Sequence, residues 1–108
     1  MKSRIILLCA ILSVSSFGQG YKPKSGYVPD SQTAVKIAEA VLIPVYGEKQ
    51  IKSERPFVAR LKDGVWTVDG TLHCRDEKGD MATSCAGGTA EIRIAKEDAR
   101  VLFMIHYK

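Results

Sequence analysis

The chain has 108 residues, 45% of them hydrophobic and 26% charged, with a formal net charge of +4. That length holds one domain. The basic residues are spread among acidic ones, with no arginine stripe and no stacking platform, which excludes a nucleic-acid-binding surface.

Residues 1–18 read as a secretory signal: Lys2 and Arg4 open it, and Ile5 to Val14 is an apolar run too short to span a bilayer comfortably. Ser16 and Gly18 suit the −3 and −1 positions, giving a mature start at Gln19; an uncleaved membrane anchor is the alternative. Cys9 is not read as a lipidation site, because Leu8 precedes it where a small residue is wanted. Cleavage removes Lys2 and Arg4, taking the charge from +4 to +2. The expectation is a protein carried across the inner membrane into the periplasm, with no membrane contact after cleavage. Residues 19–27, rich in Gly, Pro and Lys, are expected to be a flexible leader or an arm lying on the domain, which occupies 28–108.

From Val28 to Gly47 the spacing predicts one amphipathic helix. Asp30 is its N-cap and Gly47 its left-handed stop; Ala34, Ile37, Ala38, Val41, Leu42 and Val45 form a single buried stripe. Gln32, Lys36 and Glu39 make the wet side. Pro44 removes one backbone bond, so a kink or ragged last turn is expected. A connector and a short extended piece over 50–53 follow. Phe57–Leu61 and Val65–Leu72 then alternate as two strands around a Lys62-Asp63-Gly64 turn, with Trp66 facing the helix. Gly70 either admits a close approach or bends its strand. Residues 73–88 are a polar excursion. Thr89–Ala95 is a third strand, and Arg100–Tyr107 a fourth, apolar on both faces and so expected to be central or covered. The fold class is α+β: one N-terminal helix packed on an antiparallel sheet of three to four strands.

Cys74 and Cys85, the two cysteines outside the signal, are expected to pair in an oxidising compartment. Closing that loop would stabilise a small domain by about 3 kcal/mol in the chain-entropy model. A metal site built from His73, Cys74, Cys85 and His106 does not match usual zinc spacing. No metal and no cofactor is implied.

Several motifs in the same order resemble the bacterial immunity proteins with a nuclear-transport-factor-2-like fold, which accompany polymorphic toxins and interbacterial effectors. They are Ala38-Glu39-Ala40, Leu42, Pro44 and Tyr46-Gly47 at the helix end; Trp66, Val68 and Gly70-Thr71-Leu72; and Gly87-Gly88, Ala90, Ile92, Ile94, Val101-Leu102, His106 and Lys108. The resemblance covers about 27–108. It implies a curved, cystatin-like sheet around one helix and a non-catalytic inhibitor that binds a cognate toxin. With the signal, the toxin would act in the periplasm or cell envelope. A periplasmic cystatin-like protease inhibitor and a structural envelope module remain as alternatives, and a homodimer is open.

An enzyme reading could be assembled from Asp69, His73 and His106, but two histidines and a dozen acids yield such a trio by chance. The partner-binding surface is expected to combine the outer sheet face (Arg60, Thr67, Asp69, Glu91, Arg93) with the excursion (Arg75, Asp76, Glu77) and His106 on the last strand. An apolar centre with a charged rim suits a protein interface.

Overall fold

Asp30 caps the first helix as its position suggests: its carboxylate accepts from the Thr33 N–H at 2.8 Å. That bond draws the Asp30 carboxyl below its usual range. Helix α1, Ser31–Tyr46, runs through Pro44 without a ragged last turn, and Gly47 closes it with a positive φ and an N–H bonded to the Ile43 carbonyl at 2.8 Å. The computed structural model describes residues 18–74 and 87–108. Apart from Gly18, the expected signal peptide lies outside them, as do Arg75, Asp76, Glu77 and Cys85.

The buried stripe of α1 is Ala34, Ala38 and Leu42. Val45, expected to extend it, is 55% exposed. One residue on, Tyr46 takes the inward direction that repeats from Leu42, and its ring packs 5.3 Å from that of His106. The segment expected to be a connector and extended piece is instead helix α2, Glu48–Ser53. Glu48 in its first turn pairs with Lys52 in its last at 2.6 Å, and both charges suit the helix dipole.

Strands β1 (Val58–Lys62), β2 (Val65–Asp69), β3 (Ala90–Ala95) and β4 (Val101–His106) form one antiparallel sheet in that order. The two-residue turn Asp63-Gly64 joins β1 to β2 with positive φ at both positions, the geometry that matches strand twist. Helix α1 lies over β1, β2 and β3. The core between them holds Leu42, Phe57, Trp66, Val68, Ile92 and Ile94, joined by Ile51 from α2. Trp66 is 6% exposed, and its indole N–H donates to the Val28 carbonyl at 2.8 Å. It therefore ties the sheet to the chain entering α1.

The register sorts the faces. Ala59, Val68, Ile92 and Met104 make one cross-strand row under the helix; Arg60, Thr67, Arg93 and Phe103 make a row on the opposite face, with Val58, Asp69, Glu91 and Ile105 beside it. Among the described residues strand β4 is neither central nor covered: it is a sheet edge, and Val101, Leu102 and Phe103 on it are exposed. Leu72, expected to end an inward-facing strand, lies beyond Asp69 and is 42% exposed.

Of the two readings for residues 19–27, the arm describes 22–28. Tyr27 and Val28 donate from their backbone to the Glu97 and Lys96 carbonyls at 3.0 Å, Lys22 pairs with Glu97, and Lys96 bonds to the Ser25 carbonyl. Gly26 is buried against the backbone of Lys96 and Glu97.

Candidate functional site

The uncovered face of the sheet carries a compact set of charges. Asp69 on β2 and Glu91 on β3 are direct cross-strand neighbours. Arg60 reaches diagonally from β1 to Asp69 at 2.8 Å, and Arg93, two residues along β3, bonds Glu91 at 2.8 Å. The Arg93 guanidinium also sits 4.7 Å from the centre of the Phe103 ring. The Tyr107 hydroxyl donates to Glu91 at 3.1 Å.

These contacts set the electrostatics. Burial and the neighbouring Glu91 raise the Asp69 carboxyl above its usual range, against the opposing pull of Arg60. The bond to Glu91 likewise raises the Tyr107 phenol. Asp69 and Glu91 are the more sheltered partners, while the side chains of Arg60 and Arg93 are 71% and 47% exposed. The face thus has carboxylates at its middle, more exposed cations paired to them, and exposed apolar surface at Val58 and Phe103. A hollow of ≈ 490 Å³ adjoins it, lined by Val65, Thr67, Arg93, Leu102 and Phe103 among others.

A second cluster lies beneath the helices. Glu54, just past α2, is 4% exposed. One of its carboxylate oxygens accepts from the Ala90 N–H at 2.7 Å; the other accepts from Gln50 Nε2 at 2.8 Å and from His106 Nε2 at 2.7 Å. A carboxylate only accepts, so the Nε2 of His106 carries the proton in that bond. Burial pushes the Glu54 carboxyl up, but the three donors outweigh it and hold it below its usual range. Gly70 makes room for this group: a Cβ there would stand 2.8 Å from Glu54 Oε1 and 3.1 Å from the Phe57 ring. The close approach allowed by Gly70 is thus to Glu54 and Phe57. Every oxygen of Glu54 is occupied by protein donors, which makes it a fastener between α2, β3 and β4.

The profile of NTF2 fold immunity proteins matches residues 33–108, spanning α1 to the end of β4 and beyond. The chain belongs to that family. It is also 30% identical over 81 residues to "Uncharacterized protein YhhH" of Escherichia coli (strain K12), an alignment covering 75% of this chain and 58% of that protein. The chain therefore spans little more than half of that relative. No solved structure matches it. The helix on an open four-stranded antiparallel sheet is the α+β arrangement that an NTF2-like fold leads one to expect.

In this member of the family Arg60, Asp69, Glu91 and Arg93 share the open face, with Thr67 between them. His106 does not join them. It pairs with Ala90 on the helix-covered face and bonds to Glu54, because its place in β4 alternates with Phe103 and Ile105. The trio Asp69, His73 and His106 does not converge either: His73 bonds the Arg55 carbonyl at 2.6 Å, and Asp69 and His106 point to opposite sides of the sheet. Among the described residues, no group of three His, Cys, Asp or Glu side chains is placed to hold a metal. Cys74 is disulfide-bonded. Sequence reasoning missed Glu54 and Tyr107. Glu54 sits in a charged run that looks solvated, and Tyr107 was read only as an apolar strand residue.

Proposed function

We propose that this chain is an exported immunity protein that neutralises a cognate protein toxin in the periplasm by binding it, without catalysis. The observation that carries the reading is the open sheet face, where Asp69 and Glu91 are held between Arg60 and Arg93 beside exposed Phe103. The pre-placed charges give a partner orientation and register, and the apolar strip gives it area to bury. Family membership supports the toxin as the class of partner. The charged start and apolar run of residues 2–14 support export. Arg75, Asp76 and Glu77, which lie outside the described residues, are proposed as further contacts of the same partner.

The test is protection and affinity with the toxin encoded beside the gene. Asp69→Lys and Arg93→Glu, made singly, are expected to weaken binding by about tenfold or more, the 1.4 kcal/mol that a tenfold change represents. Lys36→Glu on the exposed side of α1 should leave affinity unchanged. Full binding by both face variants, with loss in the helix variant, would move the interface to the helix.

The same reading takes Cys85 as the partner of Cys74, closing the excursion at its base and lowering the ordering cost of association. Protein exported and alkylated without reduction should take up no label at either cysteine. Label on both would refute the pairing.

A further inference from the structure

The two edges of the sheet are built differently. Strand β1 carries Arg60 and Lys62 among its five residues, and Pro56 lies just before it. Charges and prolines of this kind keep an edge from pairing with another chain. Strand β4 carries no charged residue except His106 in six positions, and Phe103 on it and Tyr107 just after it remain 39% and 45% exposed. Helix α1 covers the other three strands, and Tyr46 at its end meets His106 on β4. Among the described residues, the outward backbone of this edge is also available. Tyr107 donates its N–H to the Thr89 carbonyl, so by alternation Phe103 and Ile105 face β3 while Met104 and His106 turn their N–H and C=O groups outward.

We propose that two copies of this chain pair antiparallel along β4, joining their sheets into one of eight strands. The inference is independent of the toxin reading. Charge and register select the second copy and its alignment. An axis at Met104 would set Arg100 opposite the partner's Lys108, cation against cation. An axis at Phe103 would run the ladder through the irregularity where β4 shifts register opposite Ile94. An axis at Ile105 avoids both. It sets Ile105 opposite its own copy and Phe103 opposite the partner's Tyr107, an aromatic pair on the open face for two exposed rings. The open face of one subunit then continues into that of the other, doubling the carboxylate–arginine patch.

Ile105 turns its backbone toward β3, so the two copies of Ile105 would form a close, non-hydrogen-bonded pair with Cα atoms about 4.5 Å apart. That separation lies within disulfide reach. Ile105→Cys in the full chain, purified after export, is expected to run as a covalent dimer on a non-reducing gel. Leu61→Cys on the opposite edge should not. Sedimentation of the unaltered protein at micromolar concentration should give twice the chain mass. Phe103→Lys should halve that mass, and Val58→Lys should leave it. A single-chain mass with no Ile105→Cys cross-link overturns the proposal. So does a dimer that Val58→Lys dissolves and Phe103→Lys does not. If Phe103→Lys fails to fold by circular dichroism, the cross-link decides.

Discussion

Replacing Glu54 with leucine is expected to destabilise the fold by about 3 kcal/mol, since hydrogen bonds to a charged group contribute about 1.5–3 kcal/mol each and an orphaned buried donor costs about 1–3. The variant strands the buried Ala90 N–H and removes the acceptor that Gln50 and His106 share. Glu54→Gln keeps an acceptor of the same shape and should cost less. The sign of the pH dependence follows from the lowered carboxyl. Its contribution is fully present above the ordinary carboxylate range and is lost as pH falls through the folded-state value. The stability gap between the protein and its Glu54→Gln variant, from urea melts at stepped pH, should therefore narrow below about pH 4, where glutamate ordinarily titrates. A gap that widens in acid would mean that Glu54 is protonated in the native state.

That residue also marks the limit of what the sequence reveals. The helix was legible because its signals are local: Asp30 and Gly47 bound it, and the spacing of Ala34, Ala38 and Leu42 draws its buried stripe. The strands were legible from alternation, and the face shared by Arg60, Asp69, Glu91 and Arg93 follows from period two once the hairpin registers are set. Glu54 has no such signature. In Glu48–Phe57 it is one charge among several, and its burial depends on Ala90 and His106, both more than thirty positions away. Helix α2 was missed for a related reason. With six residues and one buried side chain, Ile51, it has no period to display. His106 was placed on the wrong side because both alternations of β4 are apolar. Only its pairing with Ala90 decides which residues point under the helix.

Trp66→Ala is expected to cost about 3–5 kcal/mol, the range for emptying a large aromatic site in a packed core. The position is 6% exposed, and the ring is flanked along the sheet by Val68 and Ile94. Its indole N–H meets the Val28 carbonyl at 2.8 Å, and Val28 itself is fully buried. Truncation thus removes core volume and also frees the segment that leads into Asp30, the cap of α1. A domain of this size has little surplus stability to absorb such a loss. Trp66→Phe separates the two effects: it keeps most of the ring and loses the hydrogen bond, so it should cost about 1–2 kcal/mol, a net bond plus a small cavity. Urea unfolding followed by far-ultraviolet circular dichroism, which does not depend on the tryptophan as a probe, gives both numbers. Equal midpoints for the alanine variant and the unaltered protein would place the ring outside the core and reopen Trp66 as a contact residue.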